Sequence, residues 1–413
     1  MATFRPFRAV RPLPKHAAAV ASKPYDVLTS EEARAEAGEN PLSFLHVGKP
    51  EIDLPANTNP YDASVYLKGK ENLEKLISNR ILRQDQNPSF YVYAQTIGEH
   101  VQHGIAGCVS VEEYRNNTIR KHELTRPDKE DDRTKHILAT NAHTGPIFMT
   151  YHAEPGIDDV VDQIILGAPE YDFVASDGVR HELWTISNEE IIRSITDLFR
   201  LVDCLYIADG HHRAAAAARA AQKLAASNSR HSGTEEYNYF LAVLFPHNQP
   251  RILEYNRIVK DLNGKSMEEF LDEIREKFDV RRRTTPVIPT TRGEYGMYLE
   301  GNWYRVTATP RILNAKDLIE RLDVSILQNH LLGPILGIDD PRMNKRVDFV
   351  GGIRGVKALQ QRVDSGEMAV AFTLYPTSMQ ELIALSDAGK IMPPKSTWFE
   401  PKLRDGVVVH MLH

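Results

Sequence analysis

Cysteine is almost missing from this chain, with Cys108 and Cys204 the only two in 413 residues. Neither has a second cysteine nearby, so no disulfide framework and no cysteine-based zinc site can be built within the chain. A reducing, cytoplasmic compartment is the expectation. Long apolar runs are missing too: stretches such as Tyr239 to Phe245 are strand-sized and far short of a membrane span. The basic N-terminal stretch superficially resembles a transit peptide, but Pro6, Pro12 and Pro14 would break an amphipathic helix, and no secretory apolar segment follows. Excess positive charge is absent as well. A net charge of -6 and a pI near 6.3 argue against nucleic acid or an anionic membrane as the partner and leave room only for a local basic pocket. Finally, there is no G-x-x-x-x-G-K-S/T and no G-x-G-x-x-G, which disfavours P-loop and Rossmann mechanisms.

What the chain does have is a box at Ala208-Asp209-Gly210-His211-His212-Arg213. Four residues of strand character, Leu205 to Ala208, precede a tight turn at Asp209-Gly210. An alanine-rich segment of strong helix propensity follows. Strand, turn and helix in that order put His211, His212 and Arg213 at a helix N-terminus, where free backbone N–H groups and the positive end of the helix dipole favour an anion. The expectation is a phosphate or carboxylate site; the alternative is an ordinary turn with solvated basic residues. A transition metal on His211 and His212 is disfavoured, because adjacent side chains diverge and no third ligand is spaced nearby.

A second informative stretch is Thr118 to Arg133. A short strand leads into a loop where one carboxylate, Glu123, sits among Arg120, Lys121, His122 and Arg126 before Pro127 starts an acid-led helix. Such surroundings favour an ionised carboxylate, able to orient a hydroxyl and take its proton; a solvated loop salt bridge is the plainer reading. Upstream, Tyr25 and Asp26 lie on a Pro-led loop before a helix capped at Thr29 or Ser30. Near the end, Met392-Pro393-Pro394-Lys395-Ser396-Thr397 offers an ammonium and two hydroxyls on a rigid loop, a weak phosphate signal by itself.

The rest reads as scaffold. Tyr66 to Ile81 carries a helical stripe, Phe90 to Ile97 and Val101 to Val111 form a hairpin about Gly98, and Asn314 to Leu336 reads as a longer apolar helix region. Arg281-Arg282-Arg283, without interleaved aromatics, reads as a solvated face. The organisation expected is 1–89 as an extended and helical segment, 90–250 as an α/β core, and 251–413 as a C-terminal α/β region that returns the Pro-Lys-Ser-Thr loop to the site.

Four separated motifs together resemble the bacterial family known as domain of unknown function 1015, over nearly the whole chain: Phe4-Arg5-Pro6-Phe7-Arg8 with Pro24-Tyr25-Asp26-Val27, His122-Glu123-Leu124-Thr125, the Asp-Gly-His-His-Arg box, and Met392 to Thr397. The inner part is similar to the free L-serine kinases, which use ADP or ATP, and to the ParB and sulfiredoxin fold those kinases share. The resemblance implies a mixed α/β fold with a ParB/sulfiredoxin-like nucleotide-binding core and N- and C-terminal α/β extensions. It implies catalytic roles for Glu123, Asp209 and His212, with Glu123 as base for the substrate hydroxyl. Gly210, His211, His212, Arg213, Lys395, Ser396 and Thr397 would bind nucleotide phosphate. Tyr25, Asp26, His122, Thr125 and Arg133 would surround the substrate or stand behind it. The implied cofactors are ATP or ADP and magnesium, the latter on Asp209. If one site is shared, Glu123, His212, Arg213 and Lys395 should converge on one cleft. The long stretch before the His-Glu pair and the insertion after the box depart from the compact kinases and leave the substrate open; a homodimer is also left open. The function implied is phosphorylation of a hydroxyl on serine or a related small metabolite. The alternative is a ParB-like nucleotide-binding regulator that switches a partner or DNA without turnover.

Overall fold

β-Branched and aromatic residues fill both arms of Phe90–Ile97 and His100–Ser110, and the two pair antiparallel around Gly98-Glu99, with Gly98 at φ +58° as so tight a loop requires. This hairpin lies within a nine-stranded mixed sheet. In the computed structural model, which describes residues 2–413, the chain divides into two compact units, 1–250 with 401–413, and 251–400. Residues 1–89 therefore pack in the same unit as 90–250, and the last thirteen residues belong with them.

The sheet of the first unit runs in the order Ile119–Arg120, Leu205–Asp209, Ile147–Tyr151, Tyr239–Pro246, His100–Ser110, Phe90–Ile97, Arg180–Ile186 and Tyr171–Val174, with Phe4–Arg5 also paired to His100–Ser110. Helices pack on it through small or apolar faces. In His211–Ser227, the buried alanines at 214, 216, 217, 220 and 221 carry almost no side chain, which lets the helix backbone approach the sheet closely while keeping high helix propensity. Pro155–Ile165 and Glu189–Phe199 add Ile157, Val161, Ile195 and Phe199 to the same core. Local signals decide the helix starts: Thr29 and Glu32 close a capping box on Ser30–Ala37, and Asp62 accepts from the Ser64 amide at the head of Ala63–Ser78.

The C-terminal residues are stitched in by backbone. His410 and Met411 pair antiparallel with His143 and Ala142, and Ser22 and Asp405 exchange two backbone hydrogen bonds of 2.9 and 3.1 Å. That stitching brings Lys402 and Asp405 to the box.

The second unit is a six-stranded sheet, every pair antiparallel, in the order Phe278–Arg283, Asn302–Ala308, Glu294–Leu299, Val370–Leu374, Tyr255–Val259 and Val347–Gly351. The arginine triplet lies on the edge strand, exposed, with Arg281 paired to Asp279 at 2.7 Å. The expected helix region over 314–336 is mostly not helical: an α-helix covers only Asp323–Leu327, followed by a π turn over Gln328–Leu332. The Asp317 carboxylate accepts from the Ile319 amide at 2.7 Å, offering the backbone a turn in place of a helix, and Gly333-Pro334 ends the segment. No helix among the described residues is long and apolar enough to cross a membrane. The fold is mixed α/β, and both cysteines are buried.

Candidate active site

Leu205–Asp209 has a parallel neighbour, Ile119–Arg120, with Tyr206 opposite Arg120. Parallel strands leave a sheet at the same edge, so the loop 121–126 and the turn at Asp209-Gly210 emerge side by side, at the carboxyl ends where α/β sheets place ligands. Gly210 turns the chain with φ +97°, a left-handed conformation costly for any other residue, and a Cβ there would lie 3.1 Å from Arg213 Nε. Gly210, at the head of the helix that follows, has no side chain with which to cap it.

His211 and Glu123 meet at this point. The backbone N–H of His122 donates to His211 Nε2 at 3.5 Å, and His211 Nδ1 lies 3.7 Å from Glu123 Oε2. Burial holds the His211 imidazole well below its ordinary pKa, with His122 adding to the effect. It is therefore neutral, and with Nε2 accepting, its proton is on Nδ1, facing the carboxylate. His211 is 3 % exposed at the side chain, whereas Glu123 keeps 40 % open to solvent. The His122 ring stands edge-on to that of His211, centroids 4.4 Å apart, and burial pushes its pKa down to about 4. On the other side, the Arg126 amide donates to His212 Nε2 at 3.0 Å, which ties the loop to the helix a second time. Thr125 is turned away, its hydroxyl donating to Glu130.

Arg213 is buried and serves several neighbours. Its guanidinium donates to the Pro146 carbonyl and lies 3.7 Å from both Asp209 and Asp26, while its Nε has no hydrogen-bond partner. Asp209 is also held by Lys402 Nζ at 3.1 Å. Burial works to raise the Asp209 carboxyl; Lys402 and Arg213 outweigh it and hold the group well below the usual range. A carboxylate already neutralised by two cations is a poor magnesium donor, so the residues around Asp209 do not fit that ion.

Beside Arg213 lies a small pocket with a cavity volume of about 30 Å³, lined among others by Tyr25, Arg133, His136, His143, Arg213 and Asp405. Arg133 lies over the Tyr25 ring at 4.1 Å and donates to Asp132 at 2.9 Å and to the Gly48 carbonyl at 3.1 Å. Asp405 packs so tightly over Gly145 that a Cβ there would come within 2.5 Å of Asp405 Oδ1, and that oxygen has no hydrogen-bond partner.

The structure thus brings together Tyr25 and Arg133 around the pocket with Arg213, which Asp26 touches at 3.7 Å, whereas Glu123, His122, His211 and His212 gather at the helix start and do not line that pocket. Asp209 bridges Arg213 to Lys402. Lys395, Ser396 and Thr397 belong to the second unit, where Lys395 has φ +56°, its carbonyl accepts from Arg257 at 2.9 Å, and the Ser396 hydroxyl donates to Pro393 at 2.6 Å. Sequence reasoning missed Lys402 and Asp405. Neither belongs to a periodic or motif-like pattern; Asp405-Gly406 reads as a plain turn.

The chain belongs to the family described as protein of unknown function, DUF1015, whose model matches residues 4–325. That span of the DUF1015 chain holds Tyr25, Glu123 and the whole box, whereas Lys402, Asp405 and the 392–397 loop lie beyond it. No curated protein matches the sequence. Among solved structures, a free serine kinase variant in complex with AMP is 12% identical, with TM-score 0.37, covering 73% of this chain and 91% of its own. SbnI with a C-terminal truncation, from Staphylococcus aureus, is 13% identical with TM-score 0.39, over 73% and 86%. A conserved hypothetical protein from Pyrococcus furiosus is 12% identical with TM-score 0.34, over 74% and 94%.

Proposed function

We propose that this site transfers a phosphoryl group from a nucleotide, ATP or ADP, to the hydroxyl of serine or a related small metabolite. The observation that carries the reading is Glu123, partly open to solvent, 3.7 Å from the neutral His211 at the N-terminus of the box helix, next to a buried arginine whose Nε has no hydrogen-bond partner. Phosphoryl transfer asks mainly for positioning, charge neutralisation and one carboxylate on the attacking hydroxyl, and each of these has a residue here.

Glu123 accepts the proton of the acceptor hydroxyl as its oxygen bonds to the terminal phosphorus of the nucleotide, the bridging P–O bond breaks, and ADP leaves from ATP, or AMP from ADP. His211 Nδ1 faces the Glu123 carboxylate at 3.7 Å, close enough for a modest approach to bring the two into hydrogen-bond contact when substrate binds. The first-turn amides of the box helix and Arg213 Nε suit phosphate oxygens, and a bound nucleotide supplies the phosphoryl group. Asp209, by tying down Lys402 and Arg213, keeps both cations at the helix start. Tyr25, Asp26 and Arg133 would shape the acceptor's side of the site.

The test uses the purified full chain with ATP and ADP in turn and a panel of hydroxyl amino acids, with product read by mass spectrometry and nucleotide affinity by calorimetry. Glu123→Gln keeps the shape but cannot take the proton, so turnover should fall about a hundredfold or more while nucleotide affinity holds. Tight nucleotide binding with no phosphorylated product from any acceptor, and no effect of Glu123→Gln, would replace the kinase with the nucleotide-binding regulator.

A further inference from the structure

The third ligand that sequence spacing denied to the box histidines comes from another strand. We propose that His122, Glu123 and His211 form a binding site for a first-row divalent transition metal, for which Zn²⁺ and Co²⁺ are the natural probes. One ligand atom from each of the three lies within 4.8 Å of the others, and the three residues come from two parallel strand ends that the sheet holds together.

A second observation points to the same ion. His122 is 2 % exposed, and neither of its ring nitrogens makes a well-formed hydrogen bond, although the Ile207 backbone lies near one of them. Buried polar groups almost always find partners, and an imidazole nitrogen left without one is where an ion or water belongs. Two imidazoles and one carboxylate are a donor set that suits zinc, cobalt or iron and not magnesium or calcium, which ask for oxygen. With bonds of about 2.0–2.2 Å, tetrahedral donors stand roughly 3.4 Å apart, so closing the triad takes shifts of about 1 Å among the three side chains. Ligation through His211 Nδ1 moves that ring's proton to Nε2 and opens its 3.5 Å contact with the His122 amide, a contact already at the limit of a hydrogen bond. Glu123, 40 % exposed, leaves the outer face of the ion to water or a ligand.

The site stands on geometry alone, but it bears on the kinase reading. A metal on Glu123 withdraws charge from the carboxylate that accepts the substrate proton and makes it a weaker base, so metal-loaded protein should be slower in transfer than metal-free protein.

The experiment takes the full chain, strips it with chelator and titrates it with Co²⁺, following visible d–d absorption and stoichiometry. The expected result is one Co²⁺ per chain, displaced by Zn²⁺, with affinity lowered at least about tenfold in both His122→Ala and Glu123→Gln and unchanged in the control His330→Ala. Because His122 is buried and its loss can disturb folding, the exposed Glu123→Gln repeats the test in a chain that keeps its core. No saturable Co²⁺ uptake, or uptake that both variants leave intact, overturns the proposal. The titration needs no turnover, so its failure sinks the metal site alone. A chain that binds Co²⁺ as expected yet makes no phosphorylated product keeps the site and loses the kinase.

Discussion

Asp209 and Asp405 are two carboxylates that share Arg213 as a charged neighbour and meet opposite fates. Asp209 is touched by Lys402 at 3.1 Å and Arg213 at 3.7 Å; although burial works to raise it, these cations hold it well below the ordinary range. For Asp405, burial pushes the carboxyl up to about 7, opposed by Arg213 and reinforced by Asp26. Among the described residues, no cation comes within ion-pair distance of Asp405, and it is only 4 % exposed. Proximity to an arginine is therefore not enough. A buried carboxyl stays charged where a cation touches it, and Arg213 spends its contacts on Asp26, Asp209 and Pro146.

The largest break in that comparison comes from Asp209→Asn. It removes the negative partner of two cations while leaving them in place, and losing one side of a buried pair typically costs about 3–5 kcal/mol. Urea denaturation of the variant should show a loss in that range, with the slope unchanged. Adding Lys402→Met should recover part of it, because a neutral pair of similar volume leaves fewer charges unbalanced. If Asp209→Asn is as stable as the parent, the two cations are not what holds the carboxylate ionised.

A smaller effect is expected at the turn. Gly210→Ala puts a Cβ into a left-handed residue and 3.1 Å from Arg213 Nε, so it should cost about 1–3 kcal/mol, the usual price of such a conformation. Thermal unfolding would detect it. A cost near zero would mean that the turn relaxes out of the left-handed region.

How much of this was legible beforehand follows from the distance over which each feature is encoded. The strand, turn and helix around Asp209-Gly210 could be read because propensity, a turn dipeptide and an alanine run all act within about a dozen residues. The capping box at Thr29 and the hairpin about Gly98 are local in the same way. Glu123 meeting His211 was reachable only through the resemblance, since it depends on parallel pairing between strands far apart in sequence. The 314–336 region misled because its apolar residues are buried in turns as well as in helix, and one side-chain bond from Asp317 is enough to divert the backbone. Lys402 and Asp405 were invisible: what places them is a backbone exchange between Ser22 and Asp405 and a two-residue strand pair at His410-Met411, neither of which leaves a pattern in the sequence.

The last effect grows with pH, from near zero in mild acid, and is the sharpest test because only one carboxyl separates the two proteins. Asp405 holds its proton in the folded state up to about pH 7, whereas the unfolded chain releases it near the ordinary carboxylate value. Between about pH 4 and 7 the folded state thus binds more protons, and stability falls as pH rises across that window, by at most about 1.4 kcal/mol per pH unit, before levelling above it. Asp209 works the other way: its depressed carboxyl contributes stability that is present above about pH 4 and lost on acidification. Asp405→Asn keeps the size of the protonated acid and never charges. At pH 5 it should differ from the parent by less than about 1 kcal/mol, and at pH 8 it should be the more stable of the two, since the parent must then either bury an unpaired charge or hold a proton against the solution. The groups facing Asp405, namely Arg213, Asp26, Arg133 and Arg404, are common to both proteins. The difference between their denaturation curves therefore isolates this carboxyl. A parent and variant whose stabilities run parallel from pH 5 to 8 would show that Asp405 is ionised throughout, and that Arg213 reaches it after all.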